Sequence, residues 1–568
     1  MGASDSRKRI LIIGGVAGGA SCATRARRLC ERCEIVVFDR GEHVSFANCG
    51  LPYYVGDVIP EESKLLIATP QLFKDRFNIA VELQTEVTSI DRARRVIEVR
   101  NLKTGEMREE RYDALVISTG AIPIIPDIHG IDLPGIHVVR TIPDSRRIRN
   151  AVQGAKHALV VGGGMIGLEM AENLVHRGLE VTLVELAPQV LPILDQEMAH
   201  WPTERLMAEG VELRLGQSVV GFERTSDQRL SVALSGGDTL KTDLVILGIG
   251  VKPHSGLARD AGLQLGSKGS VVVDAAMRTE DPHIWAVGDV VASHDIVTGL
   301  EEPIPLAGPA NRQGRVAASS IIATLSGQVC QQNSACLRFR GVQATAVCGI
   351  FGLTVAATGA SERMLRRMGR DDFEKVYLHP GNHASYFPDA KPIHMKLIYR
   401  KSDGLILGAQ AIGEADVARR IDVIAMAIQL KGTVFDLEEA ELCYAPQFGA
   451  AKDPVNMAGM IAGNELRGDL RFAPWEQLFN SSALILDVRS HSEFERGHIE
   501  GALNIPLEDL RERVDGLEID REIWLVCGVG QRAYYAQRIL RQRGLNARIL
   551  SGGMQTYEAF WKGPNTRS

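Results

Sequence analysis

The chain has 568 residues, 45% of them hydrophobic and 24% charged, with 57 glycines and a formal net charge of −6. This length carries about three or four ordinary domains, and the composition is that of a glycine-rich α/β protein rather than a disordered one. So small a charge on this mass gives no reason to expect nucleic acid or a membrane surface as a partner. Nine cysteines, an odd number scattered along the chain, do not form a disulfide framework and suit a reducing cytoplasm. The first apolar run, residues 10–13, stops at Gly14-Gly15, too short for a signal or membrane segment. Met1-Gly2 with Ser6 fits the loose myristoylation pattern, but a core strand starts almost at once and argues against it.

Residues 9–13 read as a buried parallel strand, followed by Gly14-Gly15-Val16-Ala17-Gly18-Gly19, a helix, and a second strand ending at Asp39. Glycines in such a turn let the backbone approach a pyrophosphate, and the helix N-terminus presents free N–H groups to it. Asp39 lies 20 residues beyond Gly19, within reach of a ribose hydroxyl. Val16 replaces the usual middle glycine. A cleaner copy follows at Gly162-Gly163-Gly164-Met165-Ile166-Gly167, with Glu185 ending the next strand. A carboxylate there accepts from a free 2′-hydroxyl and repels a 2′-phosphate, which favours NADH and leaves NADPH open.

Between the two copies lies Ser45-Phe46-Ala47-Asn48-Cys49-Gly50-Leu51-Pro52-Tyr53-Tyr54. A redox pair spaced C-x2-C or C-x4-C needs a second cysteine at 52 or 54, and those positions hold Pro52 and Tyr54. Any disulfide made by Cys49 is therefore expected with a molecule that comes and goes. The segment is expected to open a helix, whose N-terminus lowers a thiol's pKa. A thiolate so placed attacks a disulfide or persulfide sulfur. Further on, Ala114-Leu115-Val116-Ile117-Ser118-Thr119-Gly120 reads as a strand ending at a small-residue turn.

These stretches resemble the single-cysteine group of pyridine nucleotide–disulfide oxidoreductases, over roughly residues 8–465. That group includes coenzyme A disulfide reductases, NADH-dependent persulfide reductases, NADH oxidases and NADH peroxidases. Residues 279–289, ending in Trp285-Ala286-Val287-Gly288-Asp289, resemble the second flavin signature of such reductases, with Trp285 in place of the usual Tyr or Phe. Pro305-Leu306-Ala307-Gly308-Pro309-Ala310-Asn311-Arg312-Gln313-Gly314 resembles the coenzyme A branch. The resemblance implies FAD held by Gly14, Gly19, Asp39, Asn48, Thr119, Gly120, Asp289 and Ala307, and NADH held by Gly162, Gly164, Gly167 and Glu185. It implies a homodimer in which Cys49 alternates between thiolate and a mixed disulfide with coenzyme A, or a sulfur adduct. Tyr386, in His383-Ala384-Ser385-Tyr386-Phe387-Pro388, and Tyr444, in Tyr444-Ala445-Pro446-Gln447-Phe448, match the two catalytic tyrosines of that branch. There they reach the partner subunit's site and protonate or orient the leaving thiolate. Arg25 and Arg28 share a helix face and stand as candidates for the coenzyme A phosphates, with Ser45 and Asn48 nearer the pantetheine; a solvated basic face is the other reading.

The pattern restarts near residue 471. Ala483-Leu484-Ile485-Leu486-Asp487-Val488-Arg489, His498-Ile499-Glu500-Gly501-Ala502 and Cys527-Gly528-Val529-Gly530-Gln531-Arg532 resemble a complete rhodanese domain. The C-x4-R loop, with Cys527 and Arg532 in catalytic positions, makes a tighter ring of amides than a phosphatase loop and suits a persulfide or thiosulfate sulfur.

The expected fold is α/β. Two Rossmann-like dinucleotide-binding domains, for FAD (1–150 with 278–330) and NAD(P)H (151–277), precede an α+β dimerisation domain (331–465) and an α/β rhodanese domain (471–568). The expected function is NADH-driven, FAD-dependent reduction of coenzyme A disulfide, coenzyme A persulfide or polysulfide, coupled to a sulfur carrier. The alternatives are an NADH oxidase or peroxidase cycling through cysteine sulfenic acid, and a flavin-bound redox sensor. The location expected is cytoplasmic, with no metal, nucleic acid or membrane. Cys30-Glu31-Arg32-Cys33 reads as incidental, and Cys22, Cys330, Cys336, Cys348 and Cys443 lack a motif. His379 and His383 have ligand-like spacing without a completing group, and 363–370 reads as a solvated helix.

Overall fold

The structure, a computed structural model, describes residues 7–327, 337–514 and 521–561. Cys330, Cys336 and the Met1-Gly2…Ser6 pattern lie outside the described residues. The chain forms two compact units, Met1–Leu186 with Gln217–Ala344, and Ala187–Gly216 with Thr345–Ser568.

The first unit is built on two parallel sheets. In one, the strand order is Ile284–Ala286, Ala114–Ile117, Arg9–Ile13, Glu34–Asp39, Ala80–Leu83. Its central strand carries Ile10, Leu11 and Ile12 with no exposed surface, the continuous apolar run that a sheet covered on both faces demands. The helix Ala17–Leu29 crosses from Arg9–Ile13 to Glu34–Asp39 and packs along the helix Ala307–Leu325. The two backbones meet closely there: a Cβ on Gly314 would stand 2.3 Å from the Gly18 carbonyl oxygen. The other sheet aligns Glu180–Glu185, His157–Val161, Leu244–Leu247 and Ile136–Val138 in parallel. Its strands fall in sequence between Ala114–Ile117 and Ile284–Ala286, so the first sheet is completed only after the second has been made.

In the second unit, five antiparallel strands run in the order Ala346–Ile350, Leu353–Gly359, Ile406–Gly413, Ile393–Arg400, Phe373–Leu378. The helix Val417–Gln429 covers this sheet. Buried beside it, the Lys396 ammonium donates to Asp195, Glu197 and Glu362 at 2.8, 2.5 and 2.8 Å. The C-terminal part is a parallel sheet ordered Phe472–Ala473, Ala547–Leu550, Ile523–Val526, Leu484–Asp487, Leu503–Asn504. It is tied to the antiparallel sheet by the Tyr377 N–H donating to Ser551 Oγ at 2.9 Å and by a Lys375–Glu476 ion pair. Among the described residues no helix is long and apolar enough to cross a membrane.

Candidate functional site

Backbone crowding explains both glycine turns. Gly14 has φ +94°, and a Cβ there would lie 2.3 Å from the Ser118 carbonyl oxygen; one on Gly19 would lie 1.9 Å from that of Gly14. Gly162 (φ +110°) and Gly167 repeat this, Gly167 meeting the Gly162 oxygen at 1.9 Å. Gly164 differs, because a Cβ there meets nothing within 4 Å. It is a smooth wall at a helix N-terminus rather than a packing requirement, as a pyrophosphate cradle needs. Val16 takes the equivalent place in the first turn and caps its helix with backbone alone. The two acids tie back to their own turns. Asp39 accepts from the Gly15 and Gly41 amides at 2.9 and 2.8 Å, and Glu185 from the Gly163 amide at 2.5 Å.

A cavity of about 700 Å³ opens from the first turn. Gly14, Asp39, Asn48, Thr119, Gly120 and Asp289 line it, joined by Arg40, Arg140 and His254, which the sequence did not single out. Ala307 opens the helix Ala307–Leu325, but Ala310 is the residue of that helix that reaches the wall. Burial pushes the Asp39 and Asp289 carboxyls up, opposed at Asp39 by its two amides and at Asp289 by the Arg140 guanidinium. Thr119 already donates to the His254 carbonyl at 2.7 Å. Asn48 Oδ1 is buried without a hydrogen-bond partner, an acceptor aimed at something the protein does not supply. Volume, glycine turn and orphaned acceptor together fit a bound dinucleotide with a flat ring system.

Cys49 lies in the 3₁₀ turn Asn48–Gly50, just before the short helix Leu51–Val55, and is free and exposed. Ser45, at φ +48°, hangs this segment beneath the first turn through its N–H to the Gly15 oxygen at 2.9 Å. The expected lowering of the Cys49 pKa is not found. Although the residue as a whole is exposed, partial desolvation by the surrounding protein, then the Glu169 and Asp289 carboxylates, push the thiol up, and a helix of 5 residues begun two positions later is too short to offset them. Glu169, on the helix Met165–His176, was not anticipated. Burial brings its carboxyl up to about 7, against a bond from the Tyr53 hydroxyl at 3.4 Å. Its position seven residues after Gly162 was the only signal in the sequence.

Arg25 stands beside Arg28 and Arg315. Burial first, then these two guanidiniums, push its pKa down, and its Nε is buried without a partner. Arg28 is exposed on the same helix. Positive charge from two helices therefore converges in a chain whose overall charge is negative.

Tyr386 and Tyr444 are brought together. Their hydroxyls are 2.9 Å apart and both side chains are exposed, Tyr386 by 74%. The bond to Tyr444 leads in pushing the Tyr386 pKa up. Two arginines that belong to no motif hold the tyrosine loops. Arg419 donates to the Phe448 and Cys443 carbonyls; buried Arg420 donates to the Asn382 carbonyl and Asp453.

In the C-terminal sheet, Cys527 follows Ile523–Val526 and is buried; its Sγ accepts from the Gly530 and Ala533 amides at 3.2 and 3.4 Å. Gly530 (φ +100°) turns the loop into the helix Gln531–Gln542. Arg532 closes the loop with both fork nitrogens on Glu493 at 2.7 Å, and that bond holds the Glu493 carboxyl down at about 2.

The reading of Cys30 and Cys33 as incidental is corrected: they form a disulfide, because the turn after Ala17–Leu29 brings their Cα atoms to 5.5 Å. His379 bonds His394 and Thr556, and His383 bonds the Pro388 carbonyl.

Residues 8–314 match the family model of the pyridine nucleotide-disulphide oxidoreductases, 345–453 their dimerisation domain, and 475–560 the rhodanese-like domain. The chain belongs to the pyridine nucleotide–disulphide oxidoreductase family, as a flavoprotein enzyme that carries a rhodanese domain. It is 34% identical, over 80% of its own length and 99% of that protein's, to a coenzyme A disulfide reductase of Staphylococcus epidermidis. It is similar in structure to the reduced CoADR-RHD of Bacillus anthracis, with 42% identity, a TM-score of 0.94 and coverage of 98% of this chain and 99% of that one. It is also similar to a NAD-dependent persulfide reductase from A. fulgidus, at 36% identity and a TM-score of 0.88, covering 97% and 100%.

Proposed function

We propose that this enzyme uses NADH to reduce coenzyme A disulfide or coenzyme A persulfide at Cys49, and that Cys527 carries sulfane sulfur in the same pathway of transfer. The reading rests on Cys49 itself: it is free and exposed, next in sequence to Asn48, which lines the cavity, with Pro52 and Tyr54 where a resolving cysteine would stand. Similarity to a coenzyme A disulfide reductase and to a persulfide reductase points the same way.

Bound FAD would pass the electron pair of NADH to a disulfide held on Cys49. Gly14, Asp39, Thr119, Gly120 and Asp289 line the cavity for the FAD, with the Asn48 acceptor turned into it, while Gly19 lets the first turn close and Ala307 opens the helix that brings Ala310 to the wall. Gly162, Gly164, Gly167 and Glu185 take the NADH, and Glu185 favours a free 2′-hydroxyl. Cys49 as thiolate attacks the incoming sulfur, keeps one half of the substrate and releases the other as thiol. Glu169, with a pKa near neutrality, holds a proton close to that thiol. Arg25 and Arg28 bind the coenzyme A phosphates, while Ser45 and Asn48 face the pantetheine. In the homodimer the Tyr386–Tyr444 pair reaches the partner subunit's site and supplies a proton to the departing thiolate there. The molecule acts as a homodimer through residues 345–453.

The test is anaerobic steady-state NADH oxidation by the holoenzyme with coenzyme A disulfide, coenzyme A persulfide, glutathione persulfide and polysulfide. Turnover with a coenzyme A substrate that disappears in Cys49→Ser is expected. Turnover confined to oxygen or peroxide, with sulfenic acid on Cys49, would replace this reading with an oxidase or peroxidase.

A further inference from the structure

The reaction proposed above leaves Cys30 and Cys33 unused. Their disulfide spans the turn between the helix Ala17–Leu29 and the strand Glu34–Asp39. Arg27 holds this turn without help from the sulfurs. Its guanidinium donates to the carbonyls of Cys30, Glu31 and Cys33 at 3.1, 2.7 and 2.8 Å, and to those of Phe77 and Asn78 at 2.8 Å each. Arg27 is only 5% exposed, so these bonds are sheltered from water. Opening the disulfide therefore leaves both sulfurs facing each other, and closing it again costs little chain entropy. The pair is also asymmetric. Cys30 is partly buried, while Cys33 is 6% exposed and its N–H donates to Cys30 Sγ at 3.1 Å. The less buried cysteine has an amide to support negative charge on its sulfur; the other is the more enclosed partner.

We propose that Cys30 and Cys33 form a second redox-active site, exchanging electrons directly with low-molecular-weight disulfides and persulfides. The proposal rests on the function above for the source of its oxidant. In the oxidising direction the Cys30 thiolate attacks the disulfide RSSR, forming Cys30–S–S–R and releasing RS⁻. The Cys33 thiolate then attacks Cys30 Sγ, closing the protein disulfide and expelling the second RS⁻. Two protein thiols are oxidised, one disulfide becomes two thiols, and the two protons lost by the cysteines end on the RS⁻ groups. With a persulfide RSSH the products are RSH and H₂S. The reverse reaction uses two thiols.

The holoenzyme carrying Cys49→Ser and Cys527→Ser, and the wild type beside it, are equilibrated across graded ratios of glutathione to glutathione disulfide, then of coenzyme A to its disulfide. Free thiols are alkylated and the chain is cut with trypsin. Cleavage after Arg32 separates the two cysteines, so a disulfide leaves two peptides joined and a dithiol leaves two alkylated ones. A reversible passage from joined to separate peptides as thiol rises, in both proteins, is expected. Peptides that stay joined even in excess dithiothreitol, or stay separate in excess disulfide, overturn the proposal. The glutathione series reads this site even if Cys49 proves to have another substrate. Cys30→Ser is expected to keep NADH turnover at Cys49 within about twofold.

Discussion

Replacing Lys396 by Met tests the charge balance of the second unit most severely. Lys396 is fully buried, with Asp195 and Glu197 at 4% and 7% side-chain exposure and Glu362 at 10%. Glu362 keeps Lys375 and Arg366, and Glu197 keeps the Tyr377 hydroxyl, but Asp195 is left with neutral donors, two backbone amides and Gln410. Stranding buried carboxylates in this way costs about 3–5 kcal/mol. For a unit of this size that lowers Tm by roughly 6–20 °C. Burial opposes ionisation of Asp195 and Glu362, yet Lys396 overcomes it and holds both below the usual carboxylate range. In the wild type their contribution is therefore present above the unfolded pKa, about 4, and lost only as pH falls through the lower folded values. In Lys396→Met the sign reverses. The stranded carboxyls titrate above about 4, so the deficit is full at about pH 8 and shrinks toward about pH 5. Calorimetry of wild type, Lys396→Met and the exposed control Lys391→Met at both pH values measures this. Adding Asp195→Asn and Glu197→Gln should recover part of the loss. A Tm change no larger than that of Lys391→Met, or one independent of pH, would refute the charge-balance reasoning.

Removing the Glu169 carboxylate with Glu169→Gln should lower the Cys49 thiol pKa and speed its alkylation severalfold near neutral pH; the alkylation rate against pH reads it, and an unmoved profile would show that Glu169 does not act on the thiol. Gly164→Ala, which meets no atom of the protein, should leave Tm unchanged and raise the KM for NADH about tenfold, whereas Gly167→Ala, at 1.9 Å from a carbonyl oxygen, should lower Tm as well. Cys527→Ser should abolish sulfur transfer from thiosulfate to cyanide while NADH-dependent reduction of coenzyme A disulfide stays within about twofold.

Much of the architecture was legible because parallel sheets and nucleotide turns are local in sequence. The run Ile10-Leu11-Ile12, the glycines at 14, 19, 162 and 167 and the acids Asp39 and Glu185 are all fixed by strand–turn–helix geometry within one crossover unit. The C-x4-R loop was legible for the same reason. What could not be read was whatever depends on groups far apart in the chain. By its flanking residues Cys49 reads as a thiol with a lowered pKa; burial and the carboxylates of Glu169 and Asp289 reverse the direction. The pairing of Tyr386 with Tyr444 depends on arginines at 419 and 420, and the Lys396 cluster collects acids from residues 195 to 362.

The sequence by itself determined the nucleotide turns, the solitary Cys49 and the C-terminal cysteine loop, because each is encoded by residues a few positions apart. Tertiary structure decided which charges surround those groups, and it tied the turn of Cys30 and Cys33, through Arg27, to the carbonyls of Phe77 and Asn78. Electrostatic energy follows distance through space, and a periodic pattern along the chain carries no record of it.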